Sequence, residues 1–237
     1  MSPLLSVIMP VYNEERTLEE IIEKVWAVRI RKELIIINDH STDNSPAILG
    51  KIEKTYQPDQ WNTRLVVLHQ PKNMGKGAAI RTGFAAAKGD IFLIQDADLE
   101  YDPGDYPELI QPIERGKAAV VYGSRRLRKS NLKYSGLQFY IGGVLITWFT
   151  NLLFHSQLTD EPTCYKVFAK KSLVGLTITE NGFAWEPEIT AKLLRRGQII
   201  EEVPIRYYPR HIDDGKKINW KDGMYAFWTL LKYRFKK

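Results

Sequence analysis

Residues 91–100 read IFLIQDADLE, and this stretch determines the predicted fold. An apolar run of strand type, Ile91–Ile94, is followed at once by acidic residues at alternating positions, Asp96, Asp98 and Glu100. Alternate residues of an extended chain project from the same face, so we expect these three carboxylates to converge. Hard oxygen ligands of this kind suit Mg²⁺ or Mn²⁺, which would also relieve the repulsion between them. The alternative is an acidic turn after a buried strand, because a lone Asp-x-Asp is a short motif.

The composition is that of a folded protein with a basic surface. The 237 residues are 44% hydrophobic and 26% charged, which is typical of a globular chain and argues against wholesale disorder. The length allows one large α/β domain or two small ones. The formal net charge of +6 indicates a polyanionic partner, which could be nucleic acid, an anionic membrane surface or a phosphorylated substrate.

Cysteine content and the N-terminal sequence indicate a reducing compartment. Cys164 is the only cysteine, so an internal disulfide is excluded, and nothing in the sequence marks a base that would make it a nucleophile. The sequence after Met1 lacks the basic region and cleavage site of a signal peptide. We therefore expect a cytoplasmic protein.

Apolar strands alternate with amphipathic helices through the first half of the chain. The predicted strands are Leu4–Met9, Leu34–Ile37, Leu65–Leu68, Ile91–Ile94 and Ala118–Tyr122. Helices are predicted to begin at Asn13, which would act as the N-cap, at Ser45 and near Gly77. Strands that are apolar throughout and separated by helices predict a Rossmann-like α/β fold, in which helices cover both faces of a mostly parallel sheet. Ligands of such sheets bind at the carboxyl ends of the strands.

The loop after the third predicted strand, NMGKG at residues 73–77, is rich in glycine. Neither G-x-G-x-x-G nor G-x-x-x-x-G-K-[ST] occurs in the chain, which argues against a dinucleotide dehydrogenase and a P-loop enzyme. The loop can still offer backbone N–H groups and the Lys76 ammonium to a phosphate at the start of the next helix. A simple turn is the alternative interpretation.

Four motifs at the expected strand ends resemble the nucleotide-sugar half of family-2 glycosyltransferases. They are PVYNEE at 10–15, NDHSTD at 38–43, NMGKG at 73–77 and DAD at 96–98. Three later segments resemble the dolichyl-phosphate mannose synthase and polyprenyl-phosphate glycosyltransferase branch, namely GSR at 123–125, DEPT at 160–163 and GKK at 215–217. The resemblance covers nearly the whole chain. It implies a GT-A fold, inverting transfer of a hexose from a nucleotide diphosphate sugar, and a divalent metal, Mg²⁺ or Mn²⁺.

The resemblance also implies a single catalytic domain over residues 1–237. Residues 1–123 would form the nucleotide-sugar half, and residues 124–237 the acceptor and membrane-interface half. The residues expected to contact the nucleotide sugar are Pro10, Tyr12, Glu14, Asp39, Lys76, Asp96 and Ala97. Among them, Asp39 would hydrogen-bond the base, and Asp96 would lie against the ribose or a metal-bound water. Asp98 would bind the metal directly, with Asp96 and Glu100 completing the site, although many relatives have glutamine in place of Glu100.

The acceptor side is expected in the second half of the chain. Arg125 would hold a phosphate, and Asp160 would act as a general base or orient the acceptor, unless it is only a turn residue. Together with Asp98, these are the predicted catalytic residues. Further positive charges for the phosphates would come from Arg210, Lys216 and Lys217. The segment DEPTCYK at 160–166 departs from a pattern that more often ends in SGFR. Two simpler interpretations are a solvated basic loop at residues 125–129 and a surface position for His211.

Two segments indicate contact with a membrane. Leu137–Phe154 is apolar and uncharged, and its length alone would allow a bilayer crossing, which needs about twenty such residues. A helix that crossed the bilayer would put Arg125 and Asp160 on opposite sides of the membrane. We therefore expect the helix to lie in the membrane interface. Its lipid-facing side chains would be Phe139, Ile146, Trp148 and Phe149. A core helix or a contact between copies of the chain is the alternative. Residues 220–237 mix aromatic and basic side chains, which suits the headgroup region and predicts peripheral attachment to the cytoplasmic face.

The sequence therefore favours a membrane-associated glycosyltransferase that uses a GDP- or UDP-linked sugar and a polyprenyl phosphate acceptor. Transfer to a saccharide or protein hydroxyl is the alternative within enzymes, and it would require a general base. A non-catalytic module that binds nucleotide sugars or nucleic acid is the alternative outside enzymes. Nucleic acid is not expected as a partner, because the aromatic residues concentrate in segments better explained by lipid. The sequence leaves the oligomeric state open.

Overall fold

The computed structural model describes residues 3–131, 136–210 and 220–236. In this part of the chain the strands are β1 (Leu5–Val11), β2 (Lys32–Asn38), β3 (Asn62–His69), β4 (Ile91–Ile94), β5 (Val120–Ser124), β6 (Lys166–Ala169) and β7 (Ile200–Pro204). The α-helices are α1 (Leu18–Ala27), α2 (Ser45–Thr55), α3 (Lys76–Ala86), α4 (Tyr106–Glu114), α5 (Leu137–Phe154), α6 (Trp185–Arg195) and α7 (Trp220–Phe235). All five strands predicted from the sequence are present.

The described strands form one sheet in the order β3-β2-β1-β4-β6-β5-β7. Strand β1 pairs in parallel with β2 on one side and with β4 on the other, so that Ile8 lies beside Ile94. The predicted mostly parallel sheet is therefore confirmed. The sequence analysis missed β6, which is antiparallel to both β4 and β5, and β7, which is parallel to β5. Both missed strands are short, at four and five residues, and carry charged residues that interrupt the apolar pattern.

The first helix begins later than predicted, at Leu18 instead of Asn13. Asn13 has a φ of 51°, a left-handed conformation that asparagine tolerates better than most residues. Its side-chain oxygen accepts the Thr42 N–H at 2.8 Å, and its own N–H donates to Ser41 Oγ at 3.0 Å. The asparagine therefore ties the loop after β1 to the loop after β2, and its predicted role as a helix cap is wrong.

The sheet carries the main core, and a smaller core lies between α5, α6 and α7. Ile146 of α5, Ala191 of α6 and Leu230 of α7 meet in this smaller core. The prediction that Ile146 faces lipid is therefore wrong, because its side of the helix packs on α7, and Phe149 is half-buried on the same side against Phe227. By length and composition, α5 is the one described helix that could cross a membrane, with a mean hydropathy of 1.4.

Helix α3 begins at the NMGKG loop and packs closely against the segment that precedes α6. A Cβ atom on Gly77 would lie 2.2 Å from the Glu180 carbonyl oxygen and 2.8 Å from Trp185 Cβ. Real Cβ atoms do not come this close, so glycine is required here for packing. Any larger residue would push α3 and the loop before it away from residues 180–185.

The close approach at Gly77 predicts that Gly77→Ala lowers the free energy of unfolding by about 1–3 kcal/mol, because backbone must move to admit the methyl group. Gly50→Ala is the matched control, since Gly50 also lies within a helix but has nothing within 4 Å of its Cβ position. There the gain in helix propensity should raise stability by about 0.5–1 kcal/mol. Urea unfolding of both variants measures the difference. Equal effects would show that the contact at Gly77 is not rigid.

Candidate active site

The carboxyl ends of β1, β2 and β4 bring three of the predicted motifs to one edge of the sheet. The acidic segment after β4 is fixed at its start by Gln95, whose side-chain oxygen accepts the hydroxyls of Tyr106 at 2.7 Å and Tyr165 at 2.8 Å. Further along, the Ala97 carbonyl accepts the Thr17 hydroxyl at 2.9 Å. This segment is therefore held from both sides, which orients the carboxylates that follow.

Asp39, at the end of β2, holds the NMGKG loop. Its two carboxylate oxygens accept the backbone N–H groups of Met74 at 2.8 Å and Gly75 at 2.7 Å. The role that the resemblance implies for Asp39 is a hydrogen bond to the nucleotide base. An ionised carboxylate has further lone pairs, so both contacts can coexist, and the contact with the base stays a prediction.

Lys76 forms a buried ion-pair triad with two carboxylates. Its Nζ lies 2.9 Å from Asp96 Oδ1 and 2.9 Å from Glu186 Oε1. Burial alone would lower the pKa of Lys76, but Asp96 and Glu186 raise it well above its ordinary value, so the amine stays charged. Sequence analysis missed Glu186. The only signal was an acidic residue in the first turn of α6, which many helices have for reasons of dipole alone.

Arg210 lies among the other carboxylates at the sheet edge. Its Nη2 is 2.7 Å from Asp98 Oδ2, and its Nη1 is 3.1 Å from Glu14 Oε2. Its backbone N–H donates to Glu100 Oε1 at 2.8 Å. Burial, together with the charges of Asp96 and Glu100, raises the pKa of Asp98 to about 7 in spite of the arginine. One guanidinium thus only partly neutralises this group of carboxylates.

The predicted convergence of Asp96, Asp98 and Glu100 on one metal is not seen. Asp96 faces Lys76, whereas Asp98 and Glu100 face Arg210, and the described residues contain no group of three or more acidic, histidine or cysteine side chains arranged for a metal. The donor chemistry nevertheless fits a divalent ion. Five hard carboxylates share two cations at this edge, namely Glu14, Asp96, Asp98, Glu100 and Glu186. The excess negative charge is what a divalent cation would balance.

Arg125 and Asp160, which the sequence predicts on the acceptor side, form a buried ion pair with each other. Arg125 Nε and Nη2 lie 2.7 and 2.6 Å from the two oxygens of the fully buried Asp160 carboxylate, and Nη2 also donates to the Pro162 carbonyl. Burial would raise the pKa of Asp160, but Arg125 holds it below its usual range. An ionised carboxylate committed to an arginine is a poor general base, and the same contact uses the forked edge of Arg125 that was predicted to grip a phosphate.

Some of the predicted residues play no visible part in these ion pairs. Pro10 is a β1 residue beside Ile37, and Tyr12 follows directly after that strand. Cys164 is buried, and burial together with Asp96 raises the pKa of its thiol well above the usual value, which agrees with the prediction that it is not a nucleophile. Lys216, Lys217 and His211 lie outside the described residues.

The chain belongs to glycosyl transferase family 2, since the family model of that description matches residues 6–172. It is 28% identical over 215 residues to the low-salt glycan biosynthesis hexosyltransferase Agl6 of Haloferax volcanii, covering 89% of this chain but only 49% of that protein. It is 27% identical over 230 residues to the dolichyl-phosphate beta-glucosyltransferase ALG5A of Trichomonas vaginalis, covering 91% of this chain and 68% of that protein. The chain thus spans about half to two thirds of the length of these relatives.

A solved structure shows the same fold. The glucosyl-3-phosphoglycerate synthase of Mycobacterium tuberculosis, in complex with Mn²⁺, uridine diphosphate and phosphoglyceric acid, matches with a TM-score of 0.68 and 19% identity. The match covers 98% of this chain and 79% of that one. At this identity the likeness concerns the fold alone, and it confirms the predicted GT-A architecture.

The buried pair predicts that Asp160→Asn destabilises the protein by about 3–5 kcal/mol, because Arg125 would lose its counter-charge while still buried. The folded pKa of Asp160 is depressed, so its stabilising effect is complete above the unfolded value of about 4 and is lost as the pH falls through the folded value. The difference in unfolding free energy between wild type and variant should therefore shrink below about pH 4.

Urea unfolding between pH 3 and pH 8 measures this effect, with Glu23→Gln on the exposed face of α1 as the control that should change little. A difference between wild type and Asp160→Asn that does not depend on pH would contradict the ionised pair.

Proposed function

We propose that the chain transfers a hexose from a nucleoside diphosphate sugar to a polyprenyl phosphate at a membrane surface. The observation that carries this proposal is that an acidic sheet edge of the GT-A type lies in the same chain as an exposed two-helix apolar surface. The similarity to a dolichyl-phosphate glucosyltransferase supports the lipid acceptor. Activity, substrates and partners of the whole protein are all part of the proposal.

On the donor side, the sheet edge would bind the diphosphate. Asp98 and Glu100 would hold the divalent metal, Mg²⁺ or Mn²⁺, which would supply positive charge for the departing nucleoside diphosphate. Lys76 is charged and lies at the start of α3, where its ammonium would face the same phosphates. Pro10, Tyr12 and Asp39 would line the pocket for the nucleotide, as the resemblance implies.

The acceptor proposed here does not need a protein base. Asp160 is ionised and committed to Arg125, so it cannot readily take a proton from an attacking hydroxyl. A phosphate monoester, in contrast, is already an anion near neutral pH and carries its own nucleophilic oxygen. The buried pair therefore favours a polyprenyl phosphate over a saccharide or protein hydroxyl.

Arg126 is better placed than Arg125 to meet the acceptor phosphate. Its Nη1 donates to the Thr159 carbonyl at 2.6 Å, its guanidinium lies over the Tyr140 ring of α5, and no described carboxylate pairs with it. A Cβ on Gly143 of α5 would come within 3.1 Å of Arg126 Nη2, so the guanidinium lies close against this helix. An arginine without a carboxylate at the edge of an apolar surface suits a lipid phosphate.

The apolar surface is formed by the outward faces of α5 and α7. Its exposed side chains are Tyr140, Ile141, Val144, Leu145, Trp148, Leu152, Trp220, Met224, Tyr225, Trp228 and Phe235. Trp148 is 60% exposed and Trp228 61% exposed, which is unusual for side chains of this size in a soluble surface. Exposed basic residues on α7 such as Arg234 would meet anionic headgroups, so a peripheral position on the cytoplasmic face fits this surface.

The central test of the proposal uses Asp98→Asn, which keeps the volume of the side chain and removes its charge. Transfer of labelled sugar from UDP- and GDP-sugars to a polyprenyl phosphate should fall by at least about a hundredfold, and a chelator should abolish wild-type transfer. Asp90→Asn, at an exposed turn before β4, is the matched control. Full activity of Asp98→Asn would contradict the proposed role of Asp98 as a metal ligand. A labelled product other than a lipid-linked sugar would favour a hydroxyl acceptor.

The apolar surface predicts that the double variant Trp148→Ser and Trp228→Ser binds anionic vesicles at least about tenfold more weakly than wild type, because two buried indole rings would be lost from the interface. Trp61→Ser serves as control, since Trp61 is partly exposed but lies at the start of β3, away from α5 and α7. Vesicle sedimentation gives the affinities. Unchanged vesicle binding, together with a smaller mass in solution, would assign the surface to a contact between copies of the chain.

A further inference from the structure

Arg210 occupies an unusual position, because it is a cation bound to the very carboxylates that are proposed to hold a metal. Its Nη2 is 2.7 Å from Asp98 Oδ2, its Nη1 is 3.1 Å from Glu14 Oε2, and its Nε is 4.0 Å from Glu100 Oε1. All four side chains are largely buried. The guanidinium therefore neutralises part of this acidic group from within the protein.

The match between the guanidinium and the three carboxylates is incomplete. Arg210 Nε is buried and has no hydrogen-bond acceptor among the described residues. Among the described residues, one guanidinium faces three carboxyl groups, those of Glu14, Asp98 and Glu100. A buried arginine with a structural role usually has its donors satisfied, as Arg125 has with Asp160 and Pro162. The contacts of Arg210 are those of a cation that can be exchanged.

The backbone just before Arg210 is held in place by contacts with the acidic segment. Tyr207 forms an antiparallel bridge with Tyr101, and the Tyr208 N–H donates to the Glu100 carbonyl at 2.9 Å. These contacts keep residues 207–208 along the acidic segment. Rotation of the Arg210 side chain would then be enough to release Asp98 while keeping the guanidinium near the donor phosphates.

We propose that Arg210 is an internal counter-ion that competes with the divalent metal for Asp98 and turns to the diphosphate when metal and donor bind. A guanidinium and a divalent cation cannot both lie against the same carboxylate oxygen without strong repulsion. The metal must therefore displace Arg210 from Asp98, and the released positive charge is then available for the diphosphate. This inference rests on the proposed function, because it requires both a metal and a nucleoside diphosphate.

The exchange predicts effects of opposite sign for Arg210→Met. Mn²⁺ alone should bind the variant about tenfold more tightly than wild type, because the competing cation is gone. At saturating Mn²⁺, UDP or GDP should bind the variant about tenfold more weakly, because one phosphate contact is lost. Titration of free Mn²⁺ by electron paramagnetic resonance gives the first affinity, and calorimetry gives the second. A residue with a structural role alone would weaken both.

Arg206→Met is the matched control, since Arg206 lies four positions earlier and pairs with Asp102 and Asp105, away from Asp98. It should leave the affinity for Mn²⁺ unchanged. Arg210→Lys keeps the positive charge, so its side chain should still compete with Mn²⁺ for Asp98. If Arg210→Met does not fold, Arg210→Gln takes its place in the experiment. Urea unfolding establishes that each variant is native.

The outcomes separate this inference from the proposed function. Tighter Mn²⁺ binding combined with weaker nucleotide binding in Arg210→Met supports the exchange. If wild type binds Mn²⁺ and a nucleoside diphosphate but Arg210→Met binds Mn²⁺ no more tightly, the counter-ion inference is overturned and the proposed function stands. If neither wild type nor variant binds a metal or a nucleotide, both are overturned.

Discussion

The site depends on an excess of negative charge at the carboxyl edge of a parallel sheet. Strands β1, β2 and β4 run in parallel and in register, so they end at the same edge of the sheet. The acidic residues that follow these strands therefore lie close to one another. In a folded protein such an excess is costly unless cations or protons relieve it. Lys76 and Arg210 relieve it in part, and the raised pKa of Asp98 shows that relief is incomplete. Further positive charge at this edge would relieve the rest of the repulsion.

A second set of contacts links this edge to the apolar helices. The Glu180 carboxylate accepts the hydroxyls of Tyr225 and Tyr233 on α7 and the ammonium of Lys232 at 2.6 Å. The carbonyl of the same residue lies directly against Gly77 at the start of α3. One residue therefore contacts both the helix that carries part of the apolar surface and the helix that follows the NMGKG loop.

The sequence was sufficient for elements with strong local patterns and insufficient for the partners of individual charges. Apolar strands such as Ile91–Ile94 were predictable because burial on both faces leaves an unbroken hydrophobic run. Strand β6 was not, because Lys166 interrupts its pattern. That lysine is buried, and its ammonium donates to the carbonyls of Glu161 and Thr163 and lies over the Tyr122 ring. The acidic residues at the strand ends were found, but their ion pairs join distant residues. The Lys76–Asp96, Lys76–Glu186 and Arg210–Asp98 pairs span 20, 110 and 112 positions. Patterns of spacing between nearby residues cannot predict contacts between residues so far apart in the sequence.

Arg125 and Arg126 are neighbours in sequence, but their guanidinium groups have different surroundings. A motif that reads Gly-Ser-Arg after a strand marks the first arginine for a ligand, yet that arginine is neutralised by Asp160 and lies over the Tyr207 ring at 5.2 Å. Its charge is used inside the protein, where it fixes the segment that includes Thr159. The Thr159 carbonyl in turn accepts a hydrogen bond from Arg126. The buried pair thus helps to orient the next arginine, which lies against α5 and forms no ion pair with a described carboxylate. Under the proposed function, an arginine that is oriented but forms no ion pair would be available for the phosphate of a lipid acceptor.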